Sequence, residues 1–302
     1  MSAKSRQNNK GSSAAGKKRA DKISSLIFIL ILMAGLSLLL YPKFADYWNS
    51  LHQSQAIASY ADVVAEIDNS ANEAMIDAAR KYNIEVAKRA SFYFMTEEQE
   101  AEYNSLLDIT GTGIMGYVEI PSIKVALPIY HGTSEGVLQV ATGHLEWSSL
   151  PVGGINTHAV LSGHRGLPSA KLFTDLDRLI VGDTFLIRVL NEIFTYEVDQ
   201  ILIVEPSEMD NIKIEEGKDL CTLVTCTPYG INSHRMLVRG HRIANIEAAR
   251  TLTLSAEATL IDPRLVAGAI AMPILFVLLV ITMFSDSRAR QRRRTMREFR
   301  RR

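Results

Sequence analysis

Cysteine is scarce. The 302-residue chain has two, Cys221 and Cys226. They form no Cys-x-x-Cys pair, and no two histidines share a recognisable ligand spacing; His158 and His164 are divided between a strand-like run and a loop. A structural zinc centre is therefore the weaker reading, and no metal or other cofactor is expected. The thiols stand five residues apart in an extended run, which at about 3.3 Å per residue holds them roughly 16 Å apart on opposite faces. A disulfide needs Cα atoms within about 7 Å, so at least one thiol is expected to be free. Gly and Pro are missing altogether from residues 50–104, and internal repeats are missing from the whole chain.

Net charge is missing only in total. Residues 1–22 carry seven cations against Asp21, and residues 288–302 carry nine arginines against Glu298. Between them lie 17 cations and 31 anions, so the central part is strongly acidic. Each basic end abuts an uncharged apolar run: 23–41 ("ISSLIFILILMAGLSLLLY") and 265–284 ("LVAGAIAMPILFVLLVITMF"). About 20 apolar residues in a helix cross a bilayer, and Lys/Arg-rich flanks stay in the cytoplasm. Two transmembrane helices are expected, with both termini inside and residues 42–264 outside the cell membrane. A cleaved signal peptide is the alternative for the first run, but Tyr41-Pro42-Lys43 is not a small-residue cleavage site. The arginine tail reads as a topology signal with affinity for anionic lipid, and no nucleic acid is expected as a partner.

Between the spans the pattern changes once. Residues 50–104 read as helical: Ile57, Tyr60, Val63, Val64, Ile67, Ala71, Met75, Ala79 and Tyr82 recur at spacings of mostly three and four. From Gly111 short β-rich runs appear, at Met115–Ile120, Val125–Tyr130, His158–Ser162, Thr184–Val189, Phe194–Val204, Leu220–Thr225 and Met236–Ile243. The run through Asn191-Glu192 reads as a hairpin turning there. Short helices are expected at Ser134–Gln139 and Ser169–Leu176. So many short strands imply a closed β-barrel or a sandwich. The expected division is a basic segment at 1–22, a span at 23–41, a helical arm at 42–104, a β-domain at 105–250, a linker at 251–264, a span at 265–284 and an arginine tail at 285–302.

A free thiol outside the cell asks for a chemical reason. Thr222, Val224 and Cys226 alternate along one strand face, and Pro228 and Gly230 then end the strand. Cys226 therefore stands at a strand mouth, while Cys221, with apolar neighbours and a regular strand position, reads as a buried small hydrophobe. A thiol nucleophile needs a proton-transfer partner and a group that stabilises developing negative charge. His164, in "VLSGHRGLP", stands where a β-run passes into loop. Arg235, in "NSHRMLVRGHR", opens the next strand, at a spacing that suits a strand–loop–strand return. Its rigid donor fork suits an oxyanion. His52, His131, His144, His158, His234 and His241 are rival histidines, and Arg239 and Arg242 rival arginines.

These segments resemble a known family. "TLVTC" is similar to the signature of sortases. "TLVTCTPYGINSHRMLVRGHRI", "THAVLSGHRGLPSAKLFTDLDRL" and "GIMGYVEIPSIKVALPIYHGTSEGVL" resemble the class C, pilus-assembling branch over roughly residues 105–245. The resemblance implies a mainly β fold: a sortase-type eight-stranded closed barrel with short helices, an N-terminal helical segment and two flanking spans. It implies a cysteine transpeptidase with Cys226 as nucleophile, His164 as general acid/base and Arg235 as stabiliser. The substrates implied are pilins or surface proteins with LPxTG-like sorting signals, cleaved after Thr and passed to a pilin lysine amine. One departure stands out. The Asp-Pro-aromatic lid motif common in class C is missing upstream of the barrel, where residues 88–104 offer Phe92, Tyr93 and Phe94. An absent or altered lid is therefore expected. Peptidoglycan anchoring and a non-enzymatic β-domain are the alternative functions.

Overall fold

The computed structural model describes residues 10–89 and 94–245. Helix α1 runs from Lys10 to Glu66, α2 from Asn69 to Lys88, and α3 from Glu97 to Ser105. Eight strands follow: β1 (Ile114–Ile120), β2 (Val125–His131), β3 (Thr142–His144), β4 (Thr157–Ser162), β5 (Thr184–Val189), β6 (Glu192–Val204), β7 (Asp219–Thr227) and β8 (His234–Ile243). A four-residue helix, α4 (Glu135–Leu138), stands between β2 and β3.

The strands close into a barrel in the order β1-β2-β3-β4-β7-β8-β6-β5. Closure removes the unpaired strand edges that an open sheet would expose. Every neighbouring pair is antiparallel except β2–β3 and β4–β7. Alternate residues fill the interior: Val118, Leu127, Leu161, Phe185, Tyr196, Leu223 and Val238 belong to one buried cluster. A smaller cluster lies on the outer face, where Val160, Val204, Ile212 and Leu237 are packed with Trp147, Met209 and Val224.

Residues 42–104, read as helical, carry the outer part of α1, then α2 and α3. The first helix breaks at Ile67-Asp68, and the break resets the helical phase. In α2 the buried stripe is Asn72, Ile76, Ala79, Tyr82, Asn83 and Val86, while Ala71 is exposed and Met75 only half-buried. Three polar side chains pin the helices to barrel backbone. Tyr60 donates to the Met115 carbonyl (3.0 Å) and accepts from the Leu190 N–H (2.8 Å). The Asn83 amide exchanges two hydrogen bonds with Leu150, of 2.7 and 2.9 Å. The Tyr103 hydroxyl meets His144 Nδ1 at 2.9 Å and accepts from the Gly132 N–H at 3.0 Å. These bonds satisfy groups that burial would otherwise leave unpaired.

Two further expectations are corrected. The hairpin turns at Leu190-Asn191, one residue early, because Val189 pairs with Glu192 and Tyr60 holds the Leu190 N–H. Residues 169–176 form turns, followed by a 3₁₀ turn at Leu176–Arg178; Leu172 has a positive φ of 39°, incompatible with a helix. β3, only three residues long, had no pattern of its own in the sequence. The second apolar run, the linker and the arginine tail lie outside the described residues.

Candidate active site

Three segments meet at one end of the barrel. β7 and β8 are antiparallel, and Cys226 and Arg235 are partners across that ladder. β4 runs parallel to β7, with Ser162 level with Val224. The pairing continues past the end of β4, since the Gly163 N–H donates to the Val224 carbonyl (3.0 Å) and Thr225 Oγ1 donates to the Gly163 carbonyl (2.8 Å). The same register carried two residues on from Ser162 sets His164 level with Cys226. All three candidates therefore gather at one strand mouth. Cys226 and Arg235 also share the outer face: Val224 belongs to the outer cluster and Leu223 to the interior, and side chains alternate along a strand.

Local structure fixes the histidine loop. The Phe173 N–H donates to the His164 carbonyl (3.1 Å). A Cβ on Gly163 would lie 2.6 Å from the Phe173 ring, so only glycine lets the chain pass. Gly166 has a φ of +75° and lies against the Tyr229 ring. Arg165 pairs with Asp177 and stands 6.0 Å over that same ring, tying the His164 loop to the loop after Cys226. Thr227-Pro228 is cis, and the chain then turns through Asn232, whose N–H donates to the Pro228 carbonyl at 3.0 Å.

The two thiols differ as expected. Both are free, Cys221 buried and Cys226 half-buried. Burial pushes the Cys221 thiol well above its ordinary range, which leaves it protonated and unreactive. His164 is 27% exposed, open enough to exchange protons with a ligand. Its Nε2 lies 3.9 Å from Glu135 Oε2, while the other carboxylate oxygen of Glu135 accepts from Gln139 at 2.5 Å. Glu135, Arg165 and Tyr229 were not singled out in the sequence, because only the fold brings them to this mouth.

Most rivals hold structural positions. His144 is fully buried against Tyr103 and the Ser149 carbonyl, and desolvation lowers it to about 3. His158 bonds to Thr222 Oγ1 and the Lys213 carbonyl and is lowered to about 4, again by desolvation. His131 bridges the Gly113 and Leu106 carbonyls. His52 bonds to the Trp48 carbonyl within α1, and His234 to Ser233 and Glu205. His241 pairs with Leu220, six residues along β7 from Cys226. Arg239 is committed to Asp199 and Glu215, and Arg242 to carbonyls of Thr195, Ile193 and Ile243. Arg235, by contrast, contacts the carbonyls of Asn232 and His234 at 3.3 Å, and among the described residues no carboxylate pairs with it. Its charge is available to a ligand.

The lid expectation falls on residues 88–104. Phe94 is 83% exposed, and Tyr103 is committed to His144 and Gly132. Phe92 and Tyr93 lie outside the described residues. No cluster of three or more potential metal ligands occurs among the described residues.

Comparison with known proteins agrees with this geometry. The sortase domain profile matches residues 118–243. Sortase D of Bacillus subtilis (strain 168) is 32% identical over 131 residues, 42% of this chain and 63% of that relative, so the chain spans somewhat less than two thirds of its length. Among solved structures, sortase C1 from Streptococcus agalactiae is 52% identical, with a TM-score of 0.62, and the match covers 64% of this chain and all of that one. Sortase C of Streptococcus pneumoniae is 43% identical with a TM-score of 0.58, covering 63% of this chain and 97% of that one. An eight-stranded closed barrel whose cysteine, histidine and arginine segments meet at one mouth, in a chain this similar to solved sortase C structures, belongs to the sortase family of cysteine transpeptidases, in its class C branch.

Proposed function

We propose that the protein is a membrane-anchored transpeptidase that polymerises pilin subunits. Cys226 attacks the carbonyl carbon of the Thr in an LPxTG-like sorting signal. The C–N bond breaks, the leaving amine takes a proton from His164, and the acyl group stays on Sγ as a thioester. The ε-amine of a pilin lysine then attacks the thioester carbonyl, gives its proton to His164, and expels the thiolate, leaving an isopeptide bond. Arg235 stabilises the oxyanion in both steps. A preorganised cation aimed at developing charge contributes several kcal/mol in a partly dry site.

What supports this reading is the Cys226–Arg235 pairing across β7–β8, together with a β4–β7 register that, carried two residues past Ser162, brings His164 level with Cys226. The lysine acceptor draws support from the class C likeness, since the Streptococcus pneumoniae relative was described for pilin substrate specificity. Residues 27–66 form a helix with a window of mean hydropathy 2.1, which supports the first anchor. The second span at 265–284 and the placing of both termini inside rest on the basic flanks.

The test is incubation of the full-length chain in detergent with a sorting-signal donor and a pilin acceptor, followed by mass spectrometry for a Thr–Lys isopeptide. The reading expects the product with wild type and none with Cys226→Ala. Wall-precursor amine accepted in place of lysine would convert it to an anchoring sortase. Unchanged processing by Cys226→Ala would remove the enzymatic reading altogether.

A further inference from the structure

The anchor helix does not end at the membrane. α1 continues without a break from the apolar run through Pro42 to Glu66, and its outer part lies along the barrel. At its lower end, Asp46 Oδ1 accepts from the Lys171 N–H (2.6 Å), and Asn49 Nδ2 donates to the Ser169 carbonyl (2.7 Å). At its upper end Tyr60 is bonded to Met115 and Leu190. These contacts orient the barrel. Ser169 and Lys171 belong to the loop that follows His164, at the end of the barrel where β4 and β7 finish. Met115 and Leu190, near the start of β1 and just past β5, lie at the opposite end, since β1 runs antiparallel to β2 and β5. From Asp46 to Tyr60 the helix rises about 21 Å, the length of a seven-residue strand.

The membrane level can be read from the same helix. Tyr41, Phe44 and Trp48 are all exposed on α1 at and just beyond the end of the apolar run, where aromatic side chains sit at a bilayer–water interface. That level is the level of Asp46 and Asn49. A bilayer holding α1 with these aromatics at its interface would put the bonds between α1 and the His164 loop within its headgroup layer. Around the same barrel end stand Ile180, Val181, Ile203, Tyr229 and Ile231, each 61–73% exposed. Ile180 and Val181 precede β5, Ile203 pairs with Met236 beside Arg235, and Tyr229 and Ile231 follow Cys226. Lys43 and Lys171 stand at the same level on the helix side.

We infer that the active-site end of the barrel rests on the bilayer, with this apolar rim seated at the headgroup–acyl boundary of the membrane that holds α1. The inference deepens the proposed function and rests on its reading of α1 as a membrane anchor. The occupant of the rim is a phospholipid surface: the helix that brings the rim there is continuous with the span, and its interfacial aromatics share the level of the rim's attachment. A barrel held this way works on substrates presented at the membrane surface.

Brominated lipids test it. The full-length chain is reconstituted in phosphatidylcholine/phosphatidylglycerol vesicles with acyl chains either plain or dibrominated, and vesicle flotation confirms insertion. Ile180→Trp and Ile231→Trp place reporters on the rim, and Ile155→Trp, at the opposite end, is the control. The emission of native Trp48 and Trp147 is subtracted using the parent protein. The rim reporters should lose most of their added emission on brominated chains, and the Ile155→Trp reporter none. A reporter variant that melts below the parent is replaced by Val181→Trp. Floating protein whose rim reporters behave like Ile155→Trp overturns the inference and leaves the anchor and the chemistry standing. Protein that does not float overturns the anchor as well.

Discussion

Cys226 and Arg235 face each other as partners across the β7–β8 ladder, nine residues apart in sequence. Among the described residues the guanidinium contacts backbone carbonyls and no carboxylate, so its charge is open to a ligand. Arg235→Lys keeps that charge but loses the planar fork. Turnover of a sorting-signal donor should fall by roughly 10²-fold, the scale of one oxyanion donor, with the melting temperature unchanged. Steady-state kinetics checks it, and wild-type turnover in the variant would remove Arg235 from the chemistry.

Gly163 and Phe173 are coupled by contact. Gly163→Ala puts a Cβ where the Phe173 ring stands at 2.6 Å. The overpacking should cost about 1–3 kcal/mol, and kcat should drop because His164 follows directly. Phe173→Leu in the same chain should recover part of both losses. A double-mutant cycle in urea reads the coupling, and strictly additive losses would contradict it.

Tyr103 fixes α3 to the barrel through one hydroxyl. Tyr103→Phe leaves the Gly132 N–H and His144 Nδ1, both served by that hydroxyl, without their partner. The expected loss is about 1–3 kcal/mol, with proteolysis appearing first around residues 97–105. Calorimetry and limited proteolysis check it.

Acid should destabilise the fold in a defined window. His144 and His158 are lowered to about 3 and about 4 by burial. In the unfolded chain they take protons near their ordinary value, so the unfolded state binds more protons and stability rises with pH between the folded and unfolded values. Going from about pH 7 to about pH 5.5 should cost roughly 2 kcal/mol for the pair. Glu119 and Asp219, both raised by burial, oppose this only nearer the carboxylate range. Urea titrations at the two pH values measure it, and His158→Gln should remove about half the dependence.

Much of this was legible in the sequence, for identifiable reasons. Seven of the eight strands carry alternating or β-branched runs, and the "TLVTC" and "SGHRG" segments announce the site because its residues sit at strand ends next to Gly and Pro. That Cys221 and Cys226 cannot bridge each other was legible from spacing alone. What stayed hidden depends on long-range contact. β3 is too short to carry a period and is held by β2 and β4. The phase of α2 depends on the break at Ile67-Asp68. The 169–176 turns depend on Phe173 reaching beneath Gly163. Glu135, Arg165 and Tyr229 meet the site only after closure of the barrel.

The most direct measurement is a covalent trap. The full-length chain is mixed with a sorting-signal peptide in the absence of an amine acceptor, quenched in acid, digested and mapped by mass spectrometry. The account predicts a thioester adduct, carrying the peptide up to its Thr, on the fragment containing Cys226, absent from Cys226→Ala and present but slower to form in Arg235→Lys. An adduct on Cys221, or cleavage that persists in Cys226→Ala, would contradict it.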